Sequence, residues 1–188
     1  PGPRSGHDAF DEEGELLTRS NMAMISLRHF EDWGWLRRDY DETLNIYHRM
    51  IDASDGGFEG VRDEGGILAT FGFMQNDLYY PSFADKLSYL VFKFCSGHYF
   101  NDGNKRIALT LGAYFLHKNA YYWQACVFMR QLESIVYHVA ASNIDQELLL
   151  RIVNCFMNGQ DYDEELKIDI ANAMSKGELG IKEEDYEL

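Results

Sequence analysis

The sequence predicts an all-α fold, a bundle of six or seven helices in which a polar motif loop joins the two central helices. Apolar residues recur along most of the chain at the three- and four-residue spacing of a buried helix face. Only 3 prolines occur in 188 residues, so few breaks are forced on long helices. Strand patterns are weak, and only residues 121–123 and the segment before Gly65 have a pattern that could pair locally.

The expected helices follow one another along the chain. The first covers residues 42–54 and is capped by Asp41; its buried stripe includes Tyr47 and Ile51, with His48 beside it as a core or capping histidine. The segment at 60–68 is a loop that enters a short helix. The later helices are expected at residues 82–97, 104–119, 126–141, 145–158 and 162–175.

The chain is expected to hold one globular domain with a polar segment at each end. Residues 1–24 lack apolar periodicity and are interpreted as a flexible arm or a cloning scar, and the domain spans residues 25–160. Residues 161–188 hold ten Asp or Glu against three Lys and are interpreted as an acidic C-terminal helix and tail. Of the formal net charge of −14, the globular part carries only −4.

The composition argues against several classes of function. An acidic chain without a basic stripe is a poor candidate for binding nucleic acid. No run of about 18 apolar residues and no signal peptide are visible, so we expect no membrane partner and a cytoplasmic location. Cys95, Cys126 and Cys155 are widely spaced among apolar neighbours, and we expect them to be buried, reduced thiols.

A polar run at residues 98–106 separates the two central helices and has the composition of a phosphate site. Gly103 permits a bend, and the backbone N–H groups at the start of the following helix can converge on an anion. Arg106 offers a bidentate fork for phosphate oxygens, and Lys105 a point charge. Asn104 can donate an amide hydrogen to the same anion or cap the helix.

The same run contains a candidate base and a candidate metal ligand. The imidazole of His98 could act as a general base that removes a proton from an attacking hydroxyl, and the Asp102 carboxylate could hold Mg²⁺ beside substrate phosphates. The alternatives are a structural His98–Asp102 hydrogen bond and half of a transition-metal site, for which no second cluster of ligands is visible. Lys105 and Arg106 could be solvated charges, although cations at a helix N-terminus oppose the helix dipole unless an anion lies between them.

Several common nucleotide and hydrolase motifs are absent. The chain has no G-x-x-x-x-G-K-[ST] loop, no G-x-G-x-x-G and neither of the kinase signatures H-R-D and D-F-G. It also lacks a G-x-S-x-G elbow and a C-x-x-C pair. A phosphate site at residues 98–106 therefore has to follow a different pattern.

The run H-Y-F-N-D-G-N-K-R resembles the signature of the Fic/Doc superfamily, H-x-F-x-[DE]-G-N-x-R, and residues 60–65 and the helix at 42–54 look like a Doc-type (death-on-curing) domain. The resemblance covers roughly residues 40–155. It implies an all-α fold, ATP-type nucleotide with Mg²⁺, and transfer of part of the nucleotide to a protein hydroxyl. It also implies roles for six residues. By position these are His98 as catalytic base, Asp102 as metal-associated acid, Gly103, Asn104 and Arg106 as phosphate-binding residues, and Phe100 as a packing residue.

Two departures from the adenylylating Fic pattern, H-x-F-x-[DE]-G-N-G-R-x-x-R, bear on the reaction. Lys105 replaces the second Gly and Leu109 replaces the last Arg, and both changes resemble Doc toxins, which pass on the γ-phosphate of ATP. The resemblance then implies a Doc-like kinase toxin with translation elongation factor Tu as target. No [ST]-x-x-x-E-[GN] inhibitory motif is found, which implies control by a separate antitoxin. The alternatives are AMP or NMP transfer to a protein Ser, Thr or Tyr, and a catalytically silent binding module.

Overall fold

Seven α-helices account for most of the described chain, which confirms the predicted all-α bundle. This computed structural model describes residues 33–53 and 59–184, with side chains at 39–53 and 59–175. The helices are α1 (Trp33–Asp52), α2 (Glu64–Met74), α3 (Phe83–Ser96), α4 (Asn104–Lys118), α5 (Tyr122–Ala140), α6 (Gln146–Asn158) and α7 (Glu164–Glu184). The predicted arm at 1–24 lies outside the described residues.

Helices α3 and α4 are the central pair, and residues 97–103, the motif loop, join them as predicted. Helix α3 starts in a capping box, because the Ser82 hydroxyl accepts the Asp85 N–H at 3.1 Å and the Asp85 carboxylate accepts the Ser82 N–H at 2.9 Å. Helix α3 packs against α4 and α6, and α5 covers α4. The core around the motif loop includes the fully buried Leu87, Val91, Phe94, Phe100 and Ile107.

Helix α1 begins eight residues before Asp41, so the prediction of Asp41 as its N-cap is wrong. Tyr40, Thr43 and Tyr47 are all buried and recur at the i, i+3, i+7 spacing of one helix face. The buried face therefore extends upstream of Asp41, and packing favours continued helix over a cap at that position.

The two segments whose pattern could allow local pairing behave differently. Residues 122 and 123 lie in the first turn of α5, which begins at Tyr122, so the local pairing that the pattern of 121–123 allowed does not form. The segment before Gly65 does pair: Val61 forms an isolated antiparallel bridge with Phe100 of the motif loop. This bridge brings residues 60–63 alongside the predicted site.

The cysteines are reduced, but they are not all buried. Cys95 is buried on α3 and Cys155 is half-buried on α6, whereas Cys126 is exposed. The prediction of a buried thiol is wrong for Cys126 because α5 turns a different face to the core. That core face contains Phe128, Leu132, Ile135, Val136 and Val139.

Helix α7 packs on α5 and α6 through one apolar stripe. Leu166, Ile170 and Ala173 are buried on that stripe at helical spacing. The division of the chain into a domain at 25–160 and an acidic end at 161–188 stays a prediction. None of the helices in the described ranges is both long and apolar enough to cross a membrane.

Candidate active site

The backbone of the motif loop contains two left-handed residues that turn the chain from α3 into α4. His98 has φ +50° directly after the C-cap of α3, and Gly103 has φ +81° directly before α4. A Cβ on Gly103 would lie 3.0 Å from Met50 Cε and 3.3 Å from Ile51 Cδ1, both on α1. Glycine at 103 therefore meets two demands, the left-handed bend and the close approach of α1.

The side chain of Asn104 forms two hydrogen bonds with the main chain of the motif loop. Its Oδ1 accepts the Phe100 N–H at 3.0 Å, and its Nδ2 donates to the Phe100 carbonyl at 2.8 Å. Both polar ends of the amide are thus committed to one residue of the loop. A phosphate-binding role for Asn104 stays a prediction. For a phosphate, its backbone N–H is a better placed donor than its side-chain amide, which is already bonded to Phe100.

Asp102 and Arg106 flank the start of α4. One Asp102 carboxylate oxygen accepts the Gly103 N–H at 2.6 Å, and the other lies 3.5 Å from an Arg106 guanidinium nitrogen. The two side chains are 49% and 40% exposed, so a ligand from solvent can reach both. In these surroundings a phosphate oxygen could compete with Asp102 for the Arg106 fork.

The N-terminus of α4 provides the backbone half of an anion site. The first intrahelical bond of α4 runs from the Ile107 N–H to the Gly103 carbonyl, at 2.9 Å. The N–H groups of residues 104–106 precede it, and Gly103 makes no side-chain cap that would take one of them. These donors, the helix dipole and Arg106 all favour a negative charge at the same place.

Lys105 is turned to a neighbouring helix. Its ammonium lies 4.9 Å from the centroid of the Tyr137 ring on α5, within the range of a cation–π contact. Burial raises the pKa of the nearby Cys95 thiol to about 11, and the Lys105 charge offsets part of that rise. The predicted point charge for phosphate stays a prediction, because a ligand would have to draw Lys105 away from Tyr137.

His98 is exposed at the mouth of the loop. Within residues 39–53 and 59–175, no group hydrogen-bonds its imidazole. A left-handed histidine is uncommon and costs conformational energy, which is typical of residues held for function. The structural His98–Asp102 pair considered from the sequence is not formed.

Comparison with known proteins decides the family. A model of the Fic/DOC family matches residues 37–116. The chain is 34% identical over 88 residues to "Protein kinase doc" of Escherichia phage P1, in an alignment that covers 45% of this chain and 69% of that protein. The chain belongs to the Fic/DOC family. No solved structure matches it significantly.

Membership of the Fic/DOC family confirms the resemblance predicted from residues 98–106 and supports Fic-type transferase activity in general. The matched region ends within α4, so it contains the whole motif loop and the segment at 60–63. Position 109, which holds Arg in the adenylylating pattern, holds a Leu that is 7% exposed in the core. No charge for a distal phosphate can come from that position.

Sequence reasoning missed the contacts that other segments make with the motif loop. The Tyr47 hydroxyl on α1 donates to the Asp102 carbonyl at 3.1 Å. Residues 60–63 run alongside the loop, where the Tyr99 carbonyl accepts the Arg62 N–H at 2.7 Å. A tyrosine on a buried helix face signals that its hydroxyl needs a partner, but spacing along the chain cannot say which.

His48 also proves to be neither a core nor a capping residue. It is half exposed on α1 and pairs with Glu59, which lies just before the segment that borders the loop. The predicted environment of His48 is therefore wrong, because residue 48 faces away from the stripe that buries Tyr47.

The residues present fit Mg²⁺ held mainly by a substrate. Among the residues that the structure describes, no group of three His, Cys, Asp or Glu side chains could hold a metal ion. Asp102 offers a single half-exposed carboxylate next to the anion site. Mg²⁺ commonly binds through one or two carboxylates, substrate phosphates and water, which suits this arrangement.

Proposed function

We propose that this protein transfers the γ-phosphate of ATP to a hydroxyl group of another protein, with Mg²⁺ bound to the nucleotide. The observation that carries the proposal is the start of α4. There, free backbone donors and the Arg106 fork adjoin a half-exposed carboxylate at Asp102. The exposed His98 lies at the other end of the same loop.

In the proposed reaction, the His98 imidazole removes the proton of the target hydroxyl while the hydroxyl oxygen bonds to the γ-phosphorus. The bond between the γ-phosphorus and the β–γ bridging oxygen breaks, and ADP leaves with that oxygen. The products are a phosphorylated protein, ADP and protonated His98, which returns its proton to solvent because its side chain is exposed.

The remaining residues position and neutralise the phosphates. Arg106 and the N–H groups of residues 104–106 bind phosphate oxygens. Gly103, which has no side chain, allows a phosphate to come close to this backbone. Asp102 would hold Mg²⁺, whose charge stabilises the phosphate oxygens during transfer. The predicted contribution of Lys105 is added charge at the edge of the site.

Two positions favour phosphate transfer over transfer of AMP or another NMP. Leu109 is buried where the adenylylating pattern has an arginine, so one ligand for a distal phosphate is missing. Lys105 stands where that pattern has a second glycine, and any side chain there limits how close a phosphate can come to the backbone.

The test is a transfer assay with ATP labelled either at the α- or at the γ-phosphate, using the whole protein, Mg²⁺ and a cell lysate as the source of targets. Label from the γ-position alone on a protein supports the proposal. Label from the α-position would show nucleotidylyl transfer instead, and no label from either position would favour a binding module.

Two histidine variants assign the base. His98→Ala is expected to lower γ-label transfer by at least about a hundredfold, since a positioned base contributes that much or more. His117→Ala is the matched control, because this exposed histidine lies in the last turn of α4, remote from the loop. Equal transfer by His98→Ala and the unchanged protein would refute the role of His98.

The family resemblance also suggests the partners. We propose that the recipient hydroxyl belongs to translation elongation factor Tu, that a separate antitoxin controls the activity, and that the protein works in the cytoplasm. Adding purified elongation factor Tu to the γ-label assay tests the first point. The absence of labelled factor Tu alongside labelled lysate proteins would refute that target while leaving the reaction in place.

A further inference from the structure

We propose that Tyr47 is a positioning residue for the transfer reaction: its hydroxyl anchors the main chain of Asp102 and thereby places the carboxylate that holds Mg²⁺. This inference rests on the proposed function, because it assigns a task to a residue outside the motif. A residue that only filled space could be replaced by phenylalanine without consequence.

The side chain of Tyr47 is held firmly from α1. It is fully buried, and its ring stacks on Phe100 with the centroids 4.0 Å apart and the planes at 22°. The hydroxyl donates to the Asp102 carbonyl at 3.1 Å. Tyr47 therefore contacts two residues of the motif loop, one through its ring and one through its hydroxyl.

The segment that borders the loop from outside the motif is bonded to the residue next to Asp102. The Gly60 carbonyl accepts the Asn101 N–H at 3.0 Å. A Cβ on Gly60, at φ +149°, would lie 2.5 Å from the Asn101 side-chain nitrogen. The motif loop is thus held from two sides at adjacent residues, by Gly60 at Asn101 and by Tyr47 at Asp102.

The Asp102 carboxylate depends on this anchor because little else holds it. Its own contacts are to the adjacent Gly103 N–H and to Arg106 at 3.5 Å, and it is half exposed. The Tyr47 hydroxyl can serve the Asp102 carbonyl as a hydrogen-bond donor, which a phenylalanine at the same position cannot do. Groups that orient a metal ligand commonly change metal affinity by about ten- to a hundredfold when removed.

The test compares Tyr47→Phe with Tyr114→Phe in the full chain. Tyr114 is the matched control, since its hydroxyl donates to Glu42 and joins α4 to α1 away from the motif loop. Mg²⁺ is titrated at a fixed concentration of a non-hydrolysable ATP analogue, and binding is followed by calorimetry. Affinity for the analogue without Mg²⁺ and the thermal midpoint are measured in parallel.

Tyr47→Phe is expected to raise the Mg²⁺ concentration at half-saturation about tenfold, with metal-free affinity within about twofold of the unchanged protein. Tyr114→Phe is expected to leave both values unchanged. An unchanged Mg²⁺ requirement in Tyr47→Phe would overturn the proposal. An equal rise in Tyr114→Phe would also overturn it, because loss of stability would then explain both results.

A second measurement separates this inference from the proposed function. Hydrogen exchange at the Asn101 and Gly103 amides is expected to be about tenfold faster in Tyr47→Phe than in Tyr114→Phe, because the loop loses its anchor. If the unchanged protein bound no Mg²⁺–nucleotide, the proposed function would fail. The exchange rates alone would then decide whether Tyr47 anchors the loop. Equal exchange in the two variants would then reject the anchor.

Discussion

Replacing Asn104 with alanine distinguishes between two roles of its side chain, which are holding the motif loop in shape and binding the nucleotide directly. The structure commits both polar atoms of the Asn104 amide to the Phe100 main chain, at 3.0 and 2.8 Å. Each such bond contributes about 1 kcal/mol, so Asn104→Ala is expected to lower the free energy of unfolding by about 2 kcal/mol. For a domain of this size the thermal midpoint should fall by about 4–8 °C.

Thermal unfolding followed by circular dichroism provides the measurement, with urea unfolding to confirm that the slope is unchanged. Asn158→Ala is the control, because its amide makes one exposed bond to the Asn154 carbonyl at 2.9 Å; its effect should stay within about 0.5 kcal/mol. Asn104→Asp keeps an acceptor for the Phe100 N–H but loses the donor to the Phe100 carbonyl. Its free energy of unfolding should therefore fall less than that of Asn104→Ala.

The result that would refute this reasoning is a normal melting curve for Asn104→Ala combined with loss of nucleotide binding. The amide would then serve the anion directly, as the motif alone suggests, and the bonds to Phe100 would contribute nothing measurable. A fall in stability with nucleotide affinity kept at low temperature would instead confirm the loop-holding role.

Three further predictions follow from the packing and burial of other residues. Gly66→Ala should lower the free energy of unfolding by about 1–3 kcal/mol, because the new Cβ would lie 2.5 Å from Tyr99 Cε1. The control is Gly72→Ala in the same helix, whose Cβ would meet nothing within 4 Å and which should raise that free energy by about 0.5–1 kcal/mol. Urea unfolding measures both. In native protein, a thiol reagent should label Cys126 quickly and leave Cys95 unmodified, since Cys95 is buried and burial raises its pKa to about 11. Mass spectrometry measures the labelling, and equal labelling of the two cysteines would contradict the prediction. Burial raises the pKa of five tyrosines, so their neutral forms are favoured in the native state. Stability should be level at neutral pH and fall as pH rises past about 10, where unfolded tyrosine ionises; constant urea midpoints up to pH 11 would disprove the effect. These tyrosines are Tyr47, Tyr89, Tyr99, Tyr114 and Tyr162.

Errors in the sequence predictions fall at helix starts and on exposed faces. Asp41 has the chemistry of a cap, yet packing of Tyr40 against the core continues α1 through it. Cys126 has apolar neighbours along the chain, but the orientation of α5 decides which of its faces is covered. At Asp41 tertiary packing overrides a capping preference worth about 1 kcal/mol.

The sequence by itself determined the helices, the central motif loop and the family, because these depend on residues close together in the chain. Helical periodicity acts over three or four residues, and the base, carboxylate, bend and cations occupy nine consecutive positions. Only the tertiary structure decided which polar groups the loop already uses. It committed the Asn104 amide to Phe100, placed Lys105 over Tyr137 and brought the Tyr47 hydroxyl to Asp102 from 55 residues away. Such contacts depend on how helices pack, and packing brings together side chains that no spacing along the chain relates.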